Sequence, residues 1–237
     1  MPLSIAYTSF AALRDRCQTA AVRTVRGEPE YEDGAVVPSG LWQPLTPDAA
    51  QQLQPGPGVQ DSVLVEIVAP PLPAGPLEDY ASETGGRSAV YLGQAHSEPN
   101  ALTTTVIHEN GRRLGLHLDN WDRLRYAAKD TGRRRLCLNL GPGTRHLLLC
   151  PVGAQALCRA VHPGDYTNRY PHTDDLRAYV AAGKPLWCLR IRLDPGDGYL
   201  VPTEYLPHDG STEDEPTPSS AAFWLGRWAR GTLPSLI

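Results

Sequence analysis

Lysine is almost missing from this chain: Lys129 and Lys184 are the only two, and every other basic residue is arginine. Basic residues number 22 against 26 acidic ones, for a net charge of -4. That balance excludes a binder that grips nucleic acid through a broadly basic surface. Long apolar runs are absent too, and none approaches the roughly 18 residues a membrane span needs. The opening MPLSIAYTSFAALRDRC has no basic stretch followed by an unbroken apolar one, so no secretory signal is expected. CxxC spacing does not occur. The five cysteines, Cys17, Cys137, Cys150, Cys158 and Cys188, are odd in number, and three of them sit in apolar, strand-like runs. Buried reduced thiols in a cytoplasmic protein are expected, not a disulfide framework.

What is present is enough apolar material, 41% of 237 residues, for one large domain with a true core. Residues 1–85 read as a helical and irregular flank. One helix is expected in SFAALRDRCQTAAVRTV, and a short one beginning at Thr46 with proline at its first position. VLVEIVA (63–69) reads as a strand. From residue 86 to about 230, short β-compatible runs follow one another: SAVYLG, ALTTTVI, RRLGLHLD, RRLCLNLG, HLLLCPV, LWCLRIRL, GYLVPTEYL and AFWLGRW. Turn residues bound many of them, which predicts a β-sandwich or barrel. DLRAYVAAG predicts a helix closed by Gly183, and residues 121–132 have helical character. In RRRLCLNLGPGTRHLLL, the Gly-Pro-Gly turn is expected to join two antiparallel strands.

The chemistry starts in GLHLDNWDRL (115–124). On a strand, residues i and i+2 share a face, so His117 and Asp119 converge while Leu116 and Leu118 point away. A second imidazole in the right setting would make this a metal site. His208 is that candidate, reached through a Pro195-Gly196-Asp197 turn and a strand-like run. Two imidazoles and a carboxylate on one side of an ion leave the other side open, the donor set of non-haem iron oxygenases. His146, His162 and His172 lack that context. On the expected strand 134–141, Arg135, Cys137 and Asn139 share the inward face and Leu136, Leu138 and Leu140 the outward one.

In this order HxD (His117, Asp119), PGD, His208 and a later arginine (Arg227 in FWLGRW) resemble the Fe(II)/2-oxoglutarate-dependent oxygenases. The phytanoyl-CoA-hydroxylase-like branch and small bacterial natural-product hydroxylases are the nearest in pattern. The resemblance covers roughly residues 86–230. It implies a mainly β fold, a double-stranded β-helix (jelly roll, cupin-like) with flanking α-helices. It implies Fe(II) held by His117, Asp119 and His208, with 2-oxoglutarate and O2 as co-substrates. The far carboxylate of 2-oxoglutarate would be anchored by Arg227, with Arg230, Arg145 and Arg135 as fallbacks. Asn139 would hydrogen-bond co-substrate or substrate, and Trp121 would wall the pocket or simply pack. Arg145 is a further pocket candidate, and Asp209 a candidate to orient His208. The implied reaction hydroxylates an unactivated C–H bond of a small amino-acid-like or peptide substrate; no nucleic-acid or membrane partner is expected. Two rival readings remain: a cupin-type metalloenzyme that does not use 2-oxoglutarate, and a non-catalytic jelly-roll binding module.

Overall fold

A computed structural model describes residues 3–237. In chain order the elements are β1 (Ser4–Ala6), α1 (Phe10–Arg16), β2 (Cys17–Thr24), β3 (Val36–Pro44), α2 (Pro47–Gln52), β4 (Leu64–Val68), α3 (Leu77–Glu83), β5 (Arg87–Ser97), β6 (Arg134–Pro142), β7 (Arg145–Leu149), α4 (Ala154–Val161), α5 (Thr173–Ala181), β8 (Trp187–Leu193), β9 (Gly198–Val201), β10 (His208–Ser211) and β11 (Ser219–Arg227). The chain is mainly β, built as two sheets rich in antiparallel pairs and compatible with a β-sandwich. One sheet has six strands in the order β1-β4-β9-β6-β11-β5; the other has five, in the order β10-β7-β8-β2-β3. Among the described strands only β1 and β4 pair in parallel. No helix among the described residues is long and apolar enough to cross a membrane.

Strand alternation decides what fills the molecule. Cys137, Leu147, Leu149, Leu189, Ile191, Tyr199, Val201 and Ala221 come from both sheets and form one buried cluster. The opposite face of the six-stranded sheet presents Leu136, Leu138, Ala222 and Trp224, covered by Tyr80 and Ala81 of α3 and by Trp228. The expected faces of β6 are therefore the observed ones, except that Leu140 is partly exposed.

Residues 101–107 and 112–119, expected as strands, form only isolated bridges, and three further expectations about local structure fail, each for a physical reason. The helix over residues 9–25 stops at Arg16, and Cys17 begins β2, whose backbone pairs with both β8 and β3. Tertiary pairing overrides the helical propensity of its alanines. Residues 36–44 form β3 despite Pro38, Gly40 and Pro44, because β3 lies at the edge of its sheet, where proline is tolerated. Residues 1–85 thus contribute four strands where a helical and irregular flank with one strand, β4, is expected. The Gly-Pro-Gly turn does not close a hairpin, since β6 and β7 belong to different sheets. Gly143 permits that crossing: a Cβ there would lie 2.4 Å from the Thr217 carbonyl. The helix at Thr46 forms as expected, with the Thr46 side chain accepting from Ala49 N. Residues 126–131 form a 3₁₀ turn.

Candidate metal centre

Residues 113–118 run extended but meet their neighbours only through isolated bridges. Leu116 N donates to Val36 O across 2.8 Å, which ties the stretch to β3. Gly115 makes that approach available. Its φ is +71°, and a Cβ would fall 2.6 Å from the Val36 carbonyl oxygen. One residue further on, His117 and His208 exchange backbone hydrogen bonds of 3.0 and 2.9 Å. That single antiparallel bridge brings two distant segments together, with β10 held in turn by β7. The PGD turn lies elsewhere, between β8 and β9; the chain then crosses to the other sheet to reach His208.

The side chains converge. His117 Nε2 is 3.9 Å from Asp119 Oδ1, His208 Nε2 is 3.7 Å from Asp119 Oδ2, and the imidazole centroids are 4.5 Å apart. The three donor atoms all lie within 4.8 Å of one another. Each histidine is oriented by its own chain: His117 Nδ1 donates to Gly115 O (2.9 Å) and His208 Nδ1 to Leu206 O (3.2 Å). A carbonyl only accepts, so both Nδ1 atoms carry a proton, and both Nε2 atoms face Asp119. His208 Nε2 is buried and has no hydrogen-bond partner among the described residues. A polar atom left so is costly unless something else binds it. Bonds of about 2.1 Å place donors on one ion roughly 3–4 Å apart, so a small closure of this cluster accommodates a divalent cation.

Electrostatics favours the ligating protonation states. Burial pushes the His208 imidazole down to about 3, against the opposing pull of Asp119, so it is a neutral donor at neutral pH. Burial by itself would raise the Asp119 carboxyl, but Arg135 first, then His208 and His117, hold it well below the usual carboxylate range. Arg135 Nη2 lies 2.5 Å from Asp119 Oδ2.

Of the cluster, His208 reaches a cleft of about 440 Å³ lined also by Arg135, Arg145, Tyr199 and Phe223 and by the exposed His96 and His108, whereas His117 and Asp119 do not line it. Arg145, at the start of β7, is buried, and its Nη1 has no partner among the described residues. The Arg135 and Arg145 guanidiniums lie 5.6 and 5.9 Å from the Phe223 ring. Gly210 leaves room for Arg145: a Cβ there would come 2.8 Å from Arg145 Nη2. A larger groove of about 670 Å³ near Leu41 and Trp187 is lined by no titratable side chain among the described residues and lies apart from the cluster.

Other candidates sit elsewhere. Arg227 is exposed at the end of β11, donates to Thr131 O (3.1 Å) and lines a separate polar cleft with Asp61 and Arg87. Arg230 is exposed beyond it. Asn139 is fully buried, but its amide bridges backbone groups: Nδ2 donates to Gly143 O and Leu193 O, and Oδ1 accepts from Gly141 N. Trp121 is exposed and does not line the cleft. Asp209 stands nearer His117 than His208, with Oδ2 4.0 Å from His117 Nδ1 and Oδ1 accepting from Thr105 N and Oγ1. His162 pairs with Asp175, and His172 caps α5. Sequence reasoning passed over the buried pair Lys129–Glu204, 3.5 Å apart. Glu204 follows Thr203, whose carbonyl receives Asp119 N, and its Oε1 accepts from Asp122 N. The near-absence of lysine was the one signal that Lys129 is unusual.

No family model matches the chain, and no curated protein matches it significantly. The site therefore rests on its own geometry.

Proposed function

We propose that the protein is a non-haem Fe(II) enzyme, and within that class a 2-oxoglutarate-dependent oxygenase acting on a small amino-acid-like or peptide substrate. The observation that carries this reading is the convergence of two Nδ1-tethered imidazoles and one carboxylate, with His208 reaching a cleft that also holds the buried Arg145, whose Nη1 has no hydrogen-bond partner among the described residues. The strand order supports a double-stranded β-helix. Successive strands β5, β6, β9 and β11 fall in one sheet, and β7, β8 and β10, with the His117 stretch bridged to β10, in the other. Five free, buried cysteines fit a reducing cytoplasm.

Bound iron and 2-oxoglutarate would supply the oxidising chemistry: O2 is reduced as the oxoacid loses CO2 to give succinate, and a substrate C–H bond gains oxygen. The protein's own part is positioning. His117 and His208 would offer nitrogen donors whose orientation the Gly115 and Leu206 carbonyls set. Asp119 would offer the one carboxylate of the donor set. Arg145, rather than Arg227, would receive the far carboxylate of the co-substrate, because among the described residues it combines burial, an Nη1 without a hydrogen-bond partner and a position in the cleft. Phe223 gives that dicarboxylate an apolar wall.

A second reading, a metalloenzyme of the same donor set without 2-oxoglutarate, is favoured by the one departure from the family pattern, the arginine of β11 lying outside the cleft. Anaerobic addition of Fe(II) and then 2-oxoglutarate separates the two. A weak visible charge-transfer band is expected in the wild type and not in His208→Ala. Iron binding without the band supports the second reading, and no iron binding at all removes both.

A further inference from the structure

Arg135 is in an unusual position for a residue beside a metal site. Its Nη2 lies 2.5 Å from Asp119 Oδ2, the carboxylate oxygen that also faces His208. The contact is a close ion pair and not an aligned hydrogen bond, since that oxygen and Arg135 Nε both have no hydrogen-bond partner among the described residues. No other carboxylate among the described residues is within ion-pair distance of Arg135. The site therefore already contains a cation on one ligating group, and a divalent ion there would meet a full like charge across a single carboxylate. The guanidinium also has a partner that does not depend on Asp119: it lies over the Phe223 ring of the cleft at 5.6 Å, and Arg145 lies over the same ring. A dianion entering the cleft would face both arginines.

Taking His117, Asp119 and His208 as the metal site, we propose that Arg135 is an internal counter-cation: it neutralises Asp119 while the site holds no ion and is displaced toward the cleft when a divalent ion and a dicarboxylate bind. Arg135 is a positioning residue in this account. It disfavours the ion alone and favours ion and dicarboxylate together, which protects the protein from loading an ion without co-substrate.

The test is Mn(II) binding to the whole protein, followed by electron paramagnetic resonance without oxygen, with and without 2-oxoglutarate. Arg135→Gln is expected to bind Mn(II) alone at least tenfold more tightly than wild type, and to gain less from 2-oxoglutarate than wild type does. Equal or weaker Mn(II) binding by Arg135→Gln overturns the inference while leaving the metal site standing. No binding by either protein, with or without 2-oxoglutarate, overturns the metal site itself. Should Arg135→Gln fail to fold, nitrogen-15 spectra of the wild-type arginine side chains replace it. The Arg135 Nε signal must move when Zn(II) and 2-oxoglutarate are added; a signal that stays put refutes displacement.

Discussion

Arg134 and Arg135 are neighbours on β6, point to opposite faces of one sheet, and each forms a buried or nearly buried ion pair with a single carboxylate. Arg134 donates to Glu66 Oε2 (2.6 Å), Leu64 O (3.2 Å) and Trp228 O (2.7 Å), and Glu66 Oε1 accepts from Gly231 N. That network is complete. Arg135 shares one oxygen of Asp119 and leaves its own Nε unmatched among the described residues. The first pair ties β4, β6 and the C-terminal segment into one body. The second is left unfinished where the His208 imidazole also has no hydrogen-bond partner for its Nε2 among the described residues. Buried polar groups are ordinarily matched, so a cluster of unmatched ones points to a ligand, whereas a saturated pair points to structure.

Breaking the saturated pair gives the largest effect. Arg134→Met strands the Glu66 carboxylate and is expected to cost about 3–5 kcal/mol in chemical denaturation. Any folded fraction should bind Mn(II) like wild type, and a selective loss of metal binding would mean that the two faces are not separate. A third unmatched group sharpens the comparison from the other sheet. Burial pushes the His146 imidazole down from 6.5 to about 4, and its Nδ1 has no partner among the described residues. Below its ordinary value the unfolded chain takes up a proton that the folded one refuses, so this contribution to stability is lost as the pH falls from about 6.5 toward 4. By pH 5 the loss from this one residue amounts to about 2 kcal/mol. His146→Gln should reduce the difference between denaturation at pH 7 and pH 5 by that amount; an identical pH difference in variant and wild type would refute it. The smallest effects separate two arginines. Arg145→Gln should weaken 2-oxoglutarate binding at least tenfold, whereas Arg227→Ala should change it less than twofold and alter stability by no more than about 0.5 kcal/mol, as exposed positions do. The reverse ranking would return the anchor to β11.

The legible part of the candidate site was local. His117 and Asp119 share a face because of strand period, and the inward set on β6 followed from the same rule, which placed Arg135 and Cys137 correctly as inward residues. That rule says nothing of how far along a strand a residue lies. Asn139 faces inward yet is consumed by the bulge and turn at Gly141 and Gly143, and Arg227 runs off the end of the sheet. β2 and β3 were hidden for another reason. Alanine and arginine imitate a helix, and proline and glycine imitate a loop, until neighbouring strands claim their backbone hydrogen bonds.

The order of the candidate donor residues and the strand-rich texture after residue 86 were determined by the sequence alone, because residue type and short-range period suffice for them. Only the tertiary structure decided that His117 and His208 share one bridge, that Arg145 and not Arg227 reaches the cleft, and that Arg135 already sits on Asp119. These depend on which strands become neighbours and in what register, and pairing across a sheet is a property of the whole chain.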